Sequence, residues 1–283
     1  MIRRIRPIDS GMFKLDGGAM FGVVPKTMWQ KLNPPDENNM CSWALRCLLI
    51  QTESRNILVE TGMGNKQDAK FRAHFYPHGD GDLLTSLHNE GLHPDQITDV
   101  ILTHLHFDHC GGAVSRSDNG TLYPTFPNAK YWSHSTHYTW ALTPNEREKA
   151  SFLKENFVPL KEAGQLYFFD QEDHKNMWPG EILIHLCNGH TEAMMALEFQ
   201  YDGINYLYPA DLIPSSYHIP LPYIMAYDIR PLEALNEKLR LLELAVNQES
   251  VIILEHDPSH MACTVQKNEF GKIQVKHYIN LNT

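Results

Sequence analysis

Alternating apolar and polar stretches in the first third of the chain predict a hairpin followed by a helix. Apolar side chains cluster in residues 43–50 and 56–60, and the polar residues 52–55 between them predict a β-hairpin. Asp82 stands directly before a leucine-rich stretch that ends at Gly91. An acidic residue at the start and a glycine at the end are typical of a short amphipathic helix, so we expect a capped helix there.

Further strands are predicted where short apolar runs end in turn residues. The first of them covers residues 98–103. Three later runs have the same character and predict strands at 182–187, 205–208 and 251–254.

A long helix is predicted late in the chain, where Pro231 opens a stretch with one apolar stripe that we expect to face the core. The stripe consists of Leu232, Leu235, Leu239, Leu242 and Val246. Strands followed by a helix, twice over, predict an α/β fold built as a four-layer αββα sandwich.

Length, charge and composition narrow the class of protein. No linker, repeat or low-complexity segment divides the 283 residues, so we expect a single domain over 1–283, with residues 1–40 as a loop segment near the active site. The net charge of −10 argues against a nucleic-acid partner, which would require a basic face. Without a signal-peptide core or an apolar run long enough to span a bilayer, the chain is expected to be cytoplasmic and to have no membrane partner. We expect a small-molecule substrate. Whether the chain forms a homodimer is left open by the sequence.

One histidine-rich motif is the strongest indication of function in the sequence. Residues 103–112 follow the apolar run 100–102 directly and place three imidazoles and one carboxylate within six positions. Because side chains alternate along a strand, we expect His104 and His106 to point to one side and Leu105 into the core.

Asp108 and His109 complete the motif after the predicted strand breaks into a turn, where they can face a second point close to the first. Three histidines and one aspartate at this spacing are typical ligands of zinc and similar divalent ions. Cys110 follows directly, and we expect it to pack in the turn rather than to bind metal.

A metal site needs further ligands, and three later strand ends offer them. His190, Asp211 and His256 each follow one of the later apolar runs, at the point where turn residues begin. Because loops held by a rigid sheet carry binding residues, we expect these positions to converge with the motif and to suffice for two metal ions. Asn188 and Thr191 flank His190 and are expected to set its tautomer.

The order and spacing of these candidate ligands, from the motif at 104–109 to His256, resemble the metallo-β-lactamase fold hydrolase superfamily. Residues 15–26 and 58–65 resemble in particular the branch that contains quorum-quenching N-acyl-homoserine lactonases and methyl parathion hydrolase. The resemblance covers nearly the whole chain and implies a hydrolase with two divalent metal ions, which we expect to be Zn²⁺.

The resemblance also implies how the ligands divide. One ion would be held by His104, His106 and His190, the other by Asp108, His109 and His256, with Asp211 bridging both. Two such ions can share a water and lower its pKa toward neutrality, which gives a bridging hydroxide nucleophile. Asp108 is then expected to be catalytic, because it can take a proton from the nucleophile and pass it to the leaving group.

Substrate-binding residues are expected in two places. Phe21 and Trp29 lie in an apolar stretch, 12–29, without a helix or strand period, and are expected to wall an apolar pocket; packing on the core or at a dimer contact stays open as the alternative. Many acyl-homoserine lactonases carry a tyrosine three residues after the bridging aspartate, where this chain has Pro214. Nearby candidates to replace that tyrosine are Tyr217, His218 and Tyr223.

These patterns leave three candidate functions to compare. The leading hypothesis is a lactonase that acts on N-acyl-homoserine lactones. The alternative is a phosphotriesterase or aryl esterase of the methyl parathion hydrolase type, which Pro214 favours. A metal-stabilised redox or binding scaffold is disfavoured, because redox relatives of the fold replace one histidine ligand by a carboxylate and carry an added flavin domain, and this sequence has no stretch of that length.

Overall fold

This computed structural model describes residues 1–169 and 182–282. Its chain forms two compact units, the first made of residues 1–12 and 45–169 and the second of residues 13–44 and 182–282. The boundary falls inside the first two strands. One six-stranded sheet lies mainly in the first unit and another in the second, and both units carry helices, so the predicted α/β class is confirmed.

The strands up to residue 169 are, in chain order, β1 (Ile2–Asp16), β2 (Met40–Thr52), β3 (Asn56–Val59), β4 (Asp99–Ile101), β5 (Val114–Arg116), β6 (Leu122–Pro124), β7 (Lys130–His134) and β8 (Leu166–Phe169). β5 and β6 pair with each other, and the others form a sheet in the order β1-β2-β3-β4-β7-β8. The antiparallel pairing of β2 and β3 confirms the hairpin prediction. β3, β4, β7 and β8 are parallel neighbours, and Leu58 and Val100 on them are fully buried, as is typical of parallel strands.

The helices are, in chain order, α1 (Gly17–Phe21), α2 (Lys26–Trp29), α3 (Ala69–Phe75), α4 (Leu83–Asn89), α5 (Phe107–Cys110), α6 (Ser135–Leu142), α7 (Val158–Glu162) and α8 (Pro231–Asn247). α4 is the predicted capped helix. The Asp82 side chain accepts a hydrogen bond from Thr85 N at 2.9 Å, and Gly91 takes a φ of 79° just past the helix end. Within the described ranges, no helix is long and apolar enough to cross a membrane.

The N-terminal segment is not the loop that we expected for residues 1–40. β1 runs from Ile2 to Asp16, and α1 and α2 follow it. The strand escaped detection because its buried positions recur every third residue, at Ile2, Ile5 and Ile8, and not every second. The two helices have five and four residues, too few to show a helical period. The single domain over 1–283 stays a prediction.

The strands from residue 182 onward are β9 (Ile182–Cys187), β10 (Met194–Tyr201), β11 (Ile204–Tyr208), β12 (Val251–Ile253), β13 (Ala262–Lys267) and β14 (Ile273–Ile279). They form a sheet in the order β14-β13-β12-β11-β10-β9. The three predicted strands in this region, β9, β11 and β12, are confirmed. β11 and β12 are parallel, and β9 has the same direction because β10 is antiparallel to both of its neighbours. All three strands therefore end at one edge of this sheet.

α8 begins at Pro231 as predicted, but it buries a different face from the predicted stripe. The buried positions are Ala234, Lys238, Leu241, Leu242 and Ala245. Leu242 alone belongs to both sets, and Leu232 is 76% exposed. The prediction was wrong because a stripe drawn through the large apolar residues passes by Lys238, whose side chain is fully buried.

Candidate metal centre

In the first unit, the histidine motif begins on a loop. β4 ends at Ile101, so it is shorter than the predicted strand 98–103, and strand alternation does not place the imidazoles. The ring centroids of His104 and His106 nevertheless lie 4.5 Å apart, and Leu105 is buried in the apolar core as predicted. The two rings thus lie close together as expected, but the contacts of the loop, and not strand alternation, place them there.

Side chains from elsewhere in the first unit hold this loop. Thr103 N donates a hydrogen bond to Glu60 Oε1 at 2.9 Å, and Leu105 N donates to His137 Nε2 at 2.8 Å. Because a main-chain N–H can only donate, His137 accepts at Nε2 and, when neutral, carries its proton on Nδ1. Thr103 Oγ1 lies 3.0 Å from His104 Nδ1 and fixes that ring as well. The sequence did not single out Glu60 or His137.

Asp108 and His109 lie in α5 rather than in a turn. The carbonyl of His109 accepts hydrogen bonds from Thr61 N and Thr61 Oγ1, both at 2.8 Å. The rings of His109 and His104 are 3.9 Å apart, and His109 Nε2 is 3.7 Å from Asp108 Oδ2. Glu60, His104 and His109 each offer one ligand atom, and these atoms lie within 4.8 Å of one another.

The two glycines that end the motif allow a close approach between backbones. A Cβ atom at Gly111 would lie 2.0 Å from the Met63 carbonyl oxygen, and one at Gly112 would lie 2.2 Å from the Thr61 carbonyl oxygen. No side chain fits at such distances, so glycine is required at both positions. The absence of side chains at these two positions lets the end of α5 pack directly against the turn that follows β3.

In the second unit, two predicted histidine ligands converge on the carboxylate of a third predicted ligand. His190, Asp211 and His256 follow β9, β11 and β12 within three residues of each strand end, and all are buried. His190 Nε2 lies 3.2 Å from Asp211 Oδ2, and His256 Nε2 lies 3.0 Å from Asp211 Oδ1. Each oxygen of Asp211 thus faces one histidine, which is the arrangement that a carboxylate bridging two metal ions needs.

The outer nitrogens of both histidines are fixed by acceptors. His256 Nδ1 donates to the Ala44 carbonyl at 2.7 Å, so in a neutral His256 the Nε2 atom that faces Asp211 is unprotonated. His190 Nδ1 lies 2.8 Å from Asp228 Oδ1, which favours the same tautomer. A lone pair on Nε2 and a carboxylate oxygen repel each other unless a proton or a metal ion lies between them. The donor set therefore fits divalent metal ions.

Asp228, and not Asn188, orients His190. Asn188 Oδ1 accepts a hydrogen bond from Ala193 N at 2.9 Å, so the expected role of Asn188 was wrong. The role of Thr191 stays a prediction. Asp228 lies 38 residues from His190 in the chain, and no local pattern marks it in the sequence.

Glu255 is a further group that the sequence did not single out. Asp211, Glu255 and His256 each offer one ligand atom, and these atoms lie within 4.8 Å of one another. Like Glu60, Glu255 is a buried acid shortly after a buried strand. An acidic residue in that position is the signal that could have found both.

Cys110 and His260, two further residues close in sequence to the predicted ligands, have other roles. The Cys110 thiol donates to the Leu105 carbonyl at 3.3 Å, and burial raises its pKa to about 12, so Cys110 is a packed residue as predicted. The His260 ring stacks on Tyr278 at 3.5 Å. Within the second unit, His256 and not His260 faces Asp211.

Phe21 and Trp29 are packed in an aromatic cluster of the second unit. Phe21 stacks on Trp29 and on His218, with ring centroids 5.2 Å apart in both pairs. Phe21 is 0% and Trp29 2% exposed, so neither offers surface for direct contact with a ligand. This burial favours the alternative of packing on the core, and a role of either residue in substrate binding stays a prediction.

His218 is fully engaged and does not replace the tyrosine that is missing at Pro214. Its Nε2 donates to the Met20 carbonyl at 2.9 Å, so its Nδ1 accepts from Ser215 Oγ at 2.7 Å. Burial lowers the pKa of His218 to about 3, which keeps the ring neutral. Tyr217 and Tyr223 are half-buried and remain the candidates for substrate binding.

A second aromatic cluster, which no sequence pattern predicted, lies in the first unit beside the motif. The Phe107 ring lies 4.3 Å from that of Phe75 and 5.1 Å from that of Phe71. Phe71 and Phe75 are half-buried on α3, whereas Phe107 opens α5 directly before Asp108. Apolar surface therefore borders the predicted ligands.

A family profile and several known proteins match most of this chain. The family profile described as the Metallo-beta-lactamase superfamily matches residues 46–256. The N-acyl homoserine lactonase AiiA of Bacillus thuringiensis subsp. kurstaki is 26% identical over 242 residues, which are 80% of this chain and 85% of that enzyme.

Solved structures show the same fold. A probable metal-dependent hydrolase from Staphylococcus aureus is 28% identical and superposes with a TM-score of 0.87 over 100% of this chain and 98% of its own. AidC, a dizinc quorum-quenching lactonase solved with a product, is 19% identical and superposes with a TM-score of 0.78 over 98% of this chain and 95% of its own.

Proposed function

Since the chain belongs to the metallo-β-lactamase superfamily and is a metal-dependent hydrolase, we propose that it opens lactones, with N-acyl-homoserine lactones as the leading substrates. The proposal rests mainly on the carboxylate of Asp211, whose two oxygens each face one histidine. That arrangement suits a two-metal hydrolase. The curated relatives are N-acyl homoserine lactonases, and they support the choice of substrate class.

The proposed centre would hold two divalent ions, with Zn²⁺ expected. As the resemblance to the superfamily implies, His104, His106 and His190 would hold one ion. Asp108, His109 and His256 would hold the other, and Asp211 would serve both. When bound, the ions polarise the substrate carbonyl and supply an activated water near neutral pH. Glu60 holds the loop before His104, and Asp228 holds the ring of His190.

Asp108 is the proposed proton carrier. Its carboxylate is 10% exposed, and its Oδ2 lies 3.7 Å from His109 Nε2. A carboxylate in this position can take a proton at one oxygen and give it to the alkoxide that leaves when the lactone ring opens. The ring-opened hydroxy acid is then neutral at its new hydroxyl group.

The aromatic cluster of Phe71, Phe75 and Phe107 supports an apolar acyl group on the substrate. Phe107 is adjacent to Asp108 in the chain, and the rings of Phe71 and Phe75 contact that of Phe107. Each methylene buried against such a surface contributes about 0.8 kcal/mol to binding. We therefore propose a preference for long over short acyl chains.

Hydrolysis of phosphotriesters or aryl esters is the second candidate. Pro214 favours it, because a proline cannot donate the hydrogen bond that a tyrosine supplies at this position in many acyl-homoserine lactonases. Tyr217 and Tyr223 favour the first candidate, because each could provide such a donor.

An activity panel on zinc-loaded protein tests the proposal. It compares butyryl and decanoyl homoserine lactones with an aryl ester and an aryl phosphotriester, and uses Asp108→Asn as the matched variant without a proton carrier. We expect the decanoyl lactone to be the best substrate and Asp108→Asn to lower kcat on it by roughly 100-fold or more. Turnover of the phosphotriester with no turnover of either lactone would establish the second candidate instead.

A further inference from the structure

We infer that Lys238 is a positioning residue, which holds segment 220–228 so that Asp228 on this segment orients His190. The inference rests on the proposed function in one respect, namely that His190 is a metal ligand. It adds a residue that is not itself a proposed ligand, on a helix that was expected only to pack on the core.

Lys238 clamps the first half of the segment. Its Nζ donates to the carbonyl oxygens of Pro220 and Tyr223, both at 2.9 Å, and its side chain is fully buried. A lysine is rarely buried in this way, because removing an ammonium group from water is costly. The two carbonyls provide the hydrogen bonds that such a group needs, and they lie on both sides of one turn. The lysine therefore fixes the path of the segment.

The second half of the segment is fixed to His190. Asp228 Oδ1 lies 2.8 Å from His190 Nδ1, and its Oδ2 accepts a hydrogen bond from Met225 N at 3.2 Å. Ile229 N, directly after the segment, donates to the His190 carbonyl at 3.3 Å. A shift of the segment would therefore move both the ring and the backbone of His190.

The neighbouring residue of the same helix holds the other side of His190. Glu237 accepts hydrogen bonds from Asn188 N at 2.7 Å and from Gly189 N at 3.0 Å. A Cβ atom at Gly189 would lie 2.2 Å from Ala234 N, so this loop lies directly against α8. Glu237 and Lys238 thus fix the two chain segments that determine the position of His190.

The test is the Zn²⁺ affinity of the full chain, measured by competition with a chromophoric chelator. Asp228→Asn should weaken the binding of one ion by roughly 10- to 100-fold, the range found when a partner of a metal-bound histidine is removed. Lys238→Met should weaken the binding of the same ion by roughly 3-fold or more. The double variant should bind no more weakly than Asp228→Asn alone, because Lys238 acts through Asp228. Asp202→Asn and Lys272→Met, both exposed, are the matched controls.

Two results would overturn the inference. One is wild-type affinity in Lys238→Met, and the other is a double variant in which the two losses add. Lys238→Gln, which is too short to reach both carbonyls, is measured in parallel, so a poorly folding methionine variant does not leave the question open. Wild-type affinity in the glutamine variant would count equally against the inference. Because no substrate enters this measurement, its outcome is independent of whether the protein opens lactones.

Discussion

Replacing Lys238 by methionine should change how the stability of the protein depends on pH. Burial lowers the pKa of Lys238 from 10.5 to about 7, although the charge of Asp228 opposes the shift. Below pH 7 the amine is charged in the folded and in the unfolded protein, so the full cost of burying the charge acts against folding. As the pH rises above 7, the folded protein releases this proton before the unfolded chain does, and the cost decreases.

The size of the effect follows from the two pKa values. Each unit of difference between the folded and unfolded pKa corresponds to about 1.4 kcal/mol. A pKa lowered from 10.5 to about 7 therefore costs about 5 kcal/mol at pH 6, of which about 2 kcal/mol remains at pH 9. Between these pH values, the free energy of unfolding should rise by about 3 kcal/mol more in the wild type than in Lys238→Met.

The assay is urea unfolding at pH 6 and pH 9, followed by circular dichroism. Taking the difference between the wild type and Lys238→Met at each pH cancels the titration of all other groups that the substitution leaves unchanged. Lys272→Met serves as the control, because Lys272 is exposed and its removal should give the same difference at both pH values. A stability difference for Lys238→Met that does not change with pH would refute the reasoning, since it would mean that the buried amine keeps its ordinary pKa.

Three further predictions test the site. Gly111→Ala should cost stability and metal content together, because its Cβ would lie 2.0 Å from the Met63 carbonyl oxygen; a melting temperature equal to that of the wild type would contradict this. His256→Ala should lose about one metal equivalent and nearly all hydrolysis, whereas His260→Ala should keep both, and the reverse pattern would exchange their assignments. Phe107→Ala should raise KM for decanoyl more than for butyryl homoserine lactone, and equal changes would remove this ring from acyl binding.

The sequence predicted the ligand types better than the contacts that place them. Residues that follow a buried strand were found because apolar runs and turn residues are local patterns, and His190, Asp211 and His256 all follow such strands. The strand before His104 ends earlier than predicted, and the loop is held instead by Glu60 and by another histidine. Such partners are distant in sequence, so no local pattern reveals them.

The fold was predicted where periodicity is regular and missed where it is not. The hairpin, α4 and the strands β9, β11 and β12 have clear local signals, and each is present. β1 buries every third residue over its first half, and α8 turns Lys238 inward, so neither follows the period assumed for its class. In α8 the exception concerns the residue that we infer to position His190.

The most direct test of the central claim is the metal content of the wild type and of Asp211→Ala, measured by elemental analysis after reconstitution with Zn²⁺ and removal of excess metal. We expect close to two equivalents of zinc per chain in the wild type. We expect a clear loss in Asp211→Ala, because that variant lacks the carboxylate whose two oxygens face His190 and His256. A folded wild-type protein that retains no zinc, or an Asp211→Ala variant that retains two equivalents, would contradict the proposed two-metal centre.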